Sequence, residues 1–300
     1  MALVIAKIVN LYRLYIVDCF ICKFYTVIKL STNYICIVVN ADSIWQRGAR
    51  MRQLGVSIIG TDTDVGKTFV TGLLGALAVD DGFDVGMVKP VSSSAVPFSQ
   101  CGTMDEDEIC MGLESKDATY LMQSVGISES RRREVNPIAL AGDYSPRLAA
   151  ELAGVDIDYP EIVNHVKRVV NQHDITFVEG AGGITTPLTK DITFTNLMTD
   201  IAYPAILIAD GRLGSINRVV LTYEYAKQHH IDVKGIIVND TTVVDPFLLK
   251  TNIEDMERYT GIPVLGVLPP YQGPNQAHIK LGWGRSFLDS AKIWQTVWGI

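Results

Sequence analysis

The chain has 300 residues, 48% hydrophobic, 20% charged and 8% aromatic, with 25 Gly and 12 Pro, enough for one large domain or two small ones with a real core. That balance excludes a disordered chain, a collagen-like repeat and a disulfide-stapled mini-protein. Lys and Arg number 26 against 33 Asp and Glu, a net charge of −7, which argues against nucleic acid as a partner, and an odd count of five Cys suits a reducing, cytoplasmic setting.

Residues 1–50 stand apart. They carry Lys7, Arg13, Lys23, Lys29, Arg47 and Arg50 against only Asp18 and Asp42, a net of +4, so that −11 falls on the remaining 250 residues. Three of the five Cys lie here, and the apolar residues follow no period of 2 or 3.6. The longest charge-free run, residues 30–41, is 12 long, against the roughly 20 apolar residues of a membrane-spanning helix, so no membrane association is expected. Lys23 and Lys29 interrupt a secretory signal, and the segment is not Ser-rich as a transit peptide would be. Cys19 and Cys22 have no second pair to complete a zinc set. Met51, followed at once by the strand-like Leu54 to Gly60, reads as a natural start. Residues 1–50 are then an extension from an upstream start, a targeting or regulatory segment being the alternative, and 51–300 form one domain.

After Met51, short apolar runs alternate with helix-like segments. Strands are predicted at Val56 to Gly60, Val85 to Lys89, Ile175 to Glu179, Ala205 to Ala209, Gly235 to Val238 and Val264 to Val267. Helices are predicted at Lys67 to Asp80, Pro160 to Val170 and Ile216 to Gln228. This is an α/β pattern: a doubly wound, mostly parallel sheet with helices on both faces, whose ligands sit beyond the carboxyl ends of the strands.

At the first such end, Gly60-Thr61-Asp62-Thr63-Asp64-Val65-Gly66-Lys67-Thr68 matches G-x-x-x-x-G-K-[ST] between a strand and a helix. Backbone N–H groups and the helix N-terminus cradle phosphate, Lys67 reaches the β/γ-phosphates, and the Thr68 hydroxyl suits Mg²⁺. Asp62 and Asp64 would repel a triphosphate unless each faces a cation. The second strand ends in Lys89-Pro90-Val91-Ser92-Ser93-Ser94, and a third in Glu179-Gly180-Ala181-Gly182-Gly183. Alone, a strand-end lysine is usually a solvated surface cation. Glu179, beside glycines that permit close approach, is a hard oxygen ligand for Mg²⁺.

GTDTDVGKT (60–68), KPVSS (89–93), VNP (135–137), SPRLAA (145–150), VEGAGG (178–183), TPL (186–188), RLGSIN (212–217) and VND (238–240) together resemble the dethiobiotin synthetases, over most of residues 54–271. The resemblance implies a homodimeric P-loop NTPase-type fold and an enzyme using 7,8-diaminopelargonate, CO₂ and ATP, with Mg²⁺. One amine captures CO₂ as a carbamate, the γ-phosphoryl group passes to the carbamate oxygen, and the second amine closes the cyclic urea. It further implies that Lys67 holds the β/γ-phosphates and Lys89 stabilises the carbamate and the phosphoryl group in transfer. Thr68, Asp117 and Glu179 would bind Mg²⁺. Ser93, Thr63 and Asp64 would contact the diamine, whose two ammonium groups account for acids in a phosphate loop, and Asn217 its carboxylate end beside the dimer partner. The nucleotide set would be Asp64, Val65, Gly66, Lys67, Thr68, Phe69, Asp117, Glu179, Gly180, Ala181, Gly182, Asn239, Asp240, Pro269, Pro270 and Tyr271, with Asn239 on the adenine edge.

Departures from the family lie in the acidic run Asp105 to Glu108, in Pro274-Asn275-Gln276 where a glutamate is usual, and in the tail from Ala277 with Trp283, Trp294 and Trp298. That tail could be core, dimer surface or lid, and apolar packing is the expected role. Arg131 to Arg133 read as a solvated basic face. The five His show no ligand spacing, and Cys101 and Cys110 no nucleophile signature. Amide-forming ligases of the cobyrinate diamide synthase type share the loop but add a glutamine amidotransferase domain, for which this chain is too short. Partitioning ATPases place a lysine where Thr61 stands, and GTPase switches need an NKxD-type base reader that is missing here.

Overall fold

The computed structural model describes residues 14–17, 25–30, 33–37, 53–97, 112–273 and 277–300. The acidic run 105–108, Cys101, Cys110 and residues 274–276 lie outside the described residues. The chain divides into two units, Met1–Arg52 and Gln53–Ile300. In the first, β1 (Leu14–Val17), β2 (Tyr25–Leu30) and β3 (Asn33–Ile37) pair antiparallel in chain order, strands that hydrophobic periodicity did not reveal.

The second unit is built on a six-stranded parallel sheet of β4 (Leu54–Gly60), β5 (Val85–Val88), β9 (Ile175–Glu179), β10 (Ala205–Ala209), β11 (Val233–Asn239) and β12 (Val264–Leu268). Its spatial order is β12-β11-β10-β4-β9-β5. Both faces are covered. Ile59, Val88, Val178, Leu207 and Val238 point into one core cluster, while Ile58, Met87, Phe177, Ile208 and Ile237 point into the other. Burial on both sides is why these strands read as unbroken apolar runs.

Helix α1 (Lys67–Asp80) follows the phosphate loop and buries Val70, Leu73, Leu74, Leu77 and Ala78, the i, i+3, i+4 stripe of a one-faced helix. Next come α2 (Lys116–Val125), capped by the Ser115 side chain, and the single turn α3 (Arg132–Val135). They are followed by α4 (Pro146–Ala153) and α5 (Tyr159–Val170), in which Pro160 sits in the first turn as its sequence position predicts. Further on lie α6 (Phe194–Ile201), α7 (Ser215–Gln228), α8 (Pro246–Thr260), α9 (Ala277–Arg285) and α10 (Ser290–Trp298).

A second small sheet was not foreseen. After Lys89 the chain leaves β5 at Pro90 and forms β6 (Val91–Pro97), which pairs antiparallel with β7 (Leu113–Glu114) and parallel with β8 (Ile138–Ala141). Proline lacks the N–H that would continue the β5 ladder.

The tail is core. Trp294 is buried and stacks near Phe177 (6.2 Å) and Trp298 (5.5 Å), its Nε1–H donating to Asp81 Oδ2 at 2.8 Å; Trp298 donates to the Gly55 carbonyl at 3.0 Å. Arg285 pairs with Asp80 and Asp81, tying α9 to the end of α1. No helix among the described residues is long and apolar enough to cross a membrane.

Candidate active site

The strand order creates the site. Since β9 lies between β4 and β5, Glu179 emerges between the phosphate loop on one side and Lys89 on the other, although Thr68 and Lys89 precede it by 111 and 90 residues in sequence. Around them opens a cleft of about 690 Å³ lined in part by Thr63, Asp64, Gly66, Lys67, Thr68, Lys89, Ser93, Asp117, Ala181 and Gly182. Crevices at the carboxyl ends of a parallel sheet are where such folds bind ligands.

Lys89 is not a solvated cation. It is 3% exposed, donates to Glu179 Oε1 at 2.7 Å, and pairs with Asp117 in the first turn of α2. Burial works to lower its pKa, but the charges and hydrogen bonds of Glu179 and Asp117 prevail and hold it above the ordinary lysine value. Glu179 is fully buried; its Oε1 also accepts the Thr68 hydroxyl at 2.6 Å, while its Oε2 has no partner among the described residues. A buried carboxylate oxygen without a donor is costly unless a further cation meets it. Thr68 and Asp117 thus bring hard oxygen donors beside Glu179, a donor set of the kind that a magnesium ion would require.

Lys67 behaves oppositely. Its ammonium donates to the Asp62 carbonyl at 2.9 Å, and burial, followed by repulsion from Lys89, brings its pKa down to about 8 against the pull of Glu179, Asp117 and Asp64. Such a cation, only partly offset by its neighbours, is held ready for an anion that enters the cleft.

The loop conformation is braced from outside. Gly66 has φ +87°, and a Cβ there would lie 2.1 Å from Asn239 Nδ2, so only glycine fits. Asn239, at the end of β11, donates from that nitrogen to the Val65 carbonyl at 3.0 Å. Asp62 accepts the Thr63 N–H at 2.7 Å and Asp64 adopts φ +59° at the cleft wall.

Other members of the expected nucleotide set divide. The Asp240 carboxylate accepts the N–H groups of Thr242 and Val244 and so shapes the loop after β11. Tyr271 meets Trp283 at 5.1 Å and Phe69 at 6.3 Å, an aromatic group beside the first turn of α1, with Pro269 and Pro270 half-buried before it. Gly180 donates its N–H to the Ile58 carbonyl. Asn217 is exposed on the first turn of α7 and does not line the cleft.

Sequence reasoning passed over Ser92, Ser94, Ser115, Lys116 and Asp143, which also face the cleft. The run of three serines between apolar residues was the available signal. Its meaning is a register shift in β6 between Ser92 and Ala95, with Ser94 at φ +60°. Arg131 and Arg133 are exposed, in keeping with a solvated basic face, whereas Arg132 is half-buried; Arg131 bonds to Glu134 and His173, and Arg132 pairs with Glu129 and Glu114.

Comparison with known proteins agrees with this geometry. A family model described as an AAA domain matches residues 55–276. The chain is 34% identical over 226 residues to the ATP-dependent dethiobiotin synthetase BioD of Bacillus licheniformis, spanning 75% of this chain and 90% of that protein. It is 33% identical over 215 residues to that of Bacillus subtilis (strain 168), spanning 72% and 87%, and 32% identical over 219 residues to that of Bacillus cereus (strain B4264), spanning 73% and 84%. A signal recognition particle receptor FtsY from Elizabethkingia anophelis superposes with a TM-score of 0.41 at 14% identity, over 85% of this chain and 75% of that one. Identity at one residue in three, sustained over nine-tenths of a synthetase, makes this chain a member of the dethiobiotin synthetase family.

Proposed function

We propose that the chain is an ATP-dependent dethiobiotin synthetase, a cyclo-ligase of biotin synthesis that joins CO₂ to 7,8-diaminopelargonate and closes the cyclic urea with release of ADP and phosphate. The observation that carries the reading is the Lys89–Glu179–Thr68 junction beside Lys67. It gathers cations and oxygen donors where a phosphoryl group would move between two anions.

Each residue has a task in that reaction. The loop amides and Lys67 hold the β- and γ-phosphates, and Lys67 regains full charge as they arrive. Lys89, kept protonated by Glu179 and Asp117, neutralises the carbamate and the charge on the phosphoryl group in transfer. Asp64 faces one ammonium group of the diamine, with Thr63 and Ser93 as hydrogen-bonding neighbours. Mg²⁺ held by Thr68, Asp117 and Glu179 would neutralise phosphate charge. Asn239 acts through the loop it braces and Tyr271 beside the base. Positioning and charge neutralisation account for nearly all of the catalysis, as in phosphoryl transfer generally.

A homodimer gives Asn217 its place. Exposed on α7, close to the exposed Leu213 and Leu221, it would reach the carboxylate end of the diamine bound to a partner subunit.

Phosphate release from Mg-ATP with bicarbonate, in the presence and absence of 7,8-diaminopelargonate, tests the reading. Diamine-dependent release that is lost in Lys67→Ala and Lys89→Ala is the expected result. Diamine-independent release, or none, would overturn it in favour of a regulatory ATPase.

A further inference from the structure

The VNP motif at 135–137 belongs to no substrate contact, yet its asparagine lies at the junction of the two sheets. Pro137 pushes Asn136 out of helical geometry and ends α3, and the chain enters β8 at Ile138. The Asn136 side chain, 6% exposed, then makes three bonds. Its Nδ2 donates to the Lys89 carbonyl at 2.7 Å and to the Ile138 carbonyl at 3.1 Å, and its Oδ1 accepts the Ser92 hydroxyl at 2.8 Å. The preceding Val135 carbonyl accepts the Lys89 N–H at 2.7 Å.

Lys89 is where the chain passes from one sheet to the other. Pro90 offers no N–H, β5 has ended at Val88 and β6 begins only at Val91, so neither ladder supplies partners for the Lys89 backbone. Asn136 and Val135 supply both. The same amide grips Ser92, at the foot of the irregular Ser92–Ala95 stretch that turns Ser93 and Ser94 to the cleft.

We infer that Asn136 is a positioning residue for the ligase reaction: it fixes the Lys89 main chain, so that the buried ammonium meets Glu179, and couples that placement to the serine loop facing the diamine. The inference rests on the synthetase reading for its kinetic consequence but not for its structural one.

The test compares the parent enzyme with Asn136→Ala, Asn136→Asp and Ser92→Ala. Asn136→Asp keeps an acceptor for Ser92 and removes the donor to Lys89. Both Asn136 variants are expected to lose about 100-fold in kcat, the scale of an ångström-level misplacement, while the KM for Mg-ATP, set chiefly by the loop amides and Lys67, which Asn136 does not touch, stays within about twofold. Ser92→Ala, which opens one side of the clamp only, raises the KM for the diamine with a smaller loss of kcat. A crystal structure of ligand-free Asn136→Ala should have Lys89 Nζ more than about 4 Å from Glu179, beyond ion-pair reach, against contact in the parent. An unmoved Lys89, or a kcat loss matched by loss of folded protein in all three variants, overturns the inference. If the parent itself shows no diamine-dependent turnover, the synthetase reading fails, and the position of Lys89 in the variant still decides the role of Asn136.

Discussion

Replacing Lys67 and Lys89 one at a time should move stability in opposite directions while abolishing turnover in both cases. Lys89→Met leaves the fully buried Glu179 with only the Thr68 hydroxyl on Oε1 and nothing on Oε2. An uncompensated buried charge costs about 3–5 kcal/mol. For a unit of this size, 1 kcal/mol corresponds to about 2–4 °C, so the melting temperature falls by about 6–20 °C. Asp117, whose side chain is 46% exposed, adds little to that cost because water takes over its solvation. Lys67→Met works the other way. A pKa brought from 10.5 to about 8 makes the charge at that position cost about 3 kcal/mol, at roughly 1.4 kcal/mol per unit. Loss of the bond to the Asp62 carbonyl returns about 1 kcal/mol, leaving a gain of about 2 kcal/mol. Thermal unfolding of protein free of metal and nucleotide at pH 7, followed by circular dichroism, reads both effects. Lys89→Met/Glu179→Gln should recover most of the stability and none of the turnover. Equal destabilisation by both single variants, or a double variant no more stable than Lys89→Met, would refute the electrostatic account of the site.

Gly66→Ala, with φ +87° and a Cβ driven onto Asn239 Nδ2, should weaken ATP binding about tenfold or more, since left-handed strain of ~1–3 kcal/mol adds to a broken brace; unchanged binding by calorimetry would count against that brace. Because Lys67 loses its proton near pH 8 in the free protein and phosphates raise its affinity for one, ATP binding at pH 8 to 9 should take up protons and weaken as pH rises. Calorimetry in buffers of different ionisation enthalpy measures this, and buffer-independent heats would contradict it. The same group makes the free protein more stable as pH rises from about 8 toward 10.5, where the unfolded chain still holds the proton and the folded one has released it. Trp294→Ala removes a buried ring packed on Phe177 and should cost about 3–5 kcal/mol. The folded fraction should keep its specific activity, because Trp294 does not line the cleft; a selective fall in turnover would place the tail in the site.

Legibility varied with how local each determinant is. The phosphate loop is nine consecutive residues between a strand and a helix, and its backbone duties require Gly60, Gly66, Lys67 and Thr68 at those spacings, so the motif stood out unaided. The strands of the parallel sheet stood out because burial on both faces turns each into an apolar run. The junction at Asn136 did not, since a buried asparagine becomes informative only when the groups it satisfies are known. The positions of Asn239 and Asp240 at a strand end fit a nucleotide set, but that both side chains also bond to protein backbone was not legible in the sequence.

By itself the sequence determined the fold class, the family and the residues with charge to offer, because periodicity, turn chemistry and a contiguous motif act within a few residues of chain. Which of those charges meet was decided by strand order. Inserting β9 between β4 and β5 brings Glu179 within hydrogen-bond reach of both Thr68 and Lys89 and strips Glu179 and Lys89 of water. Contacts between segments remote in sequence thus set the carboxylates that keep Lys89 charged against its burial, while burial and the neighbouring Lys89 make Lys67 wait for phosphate.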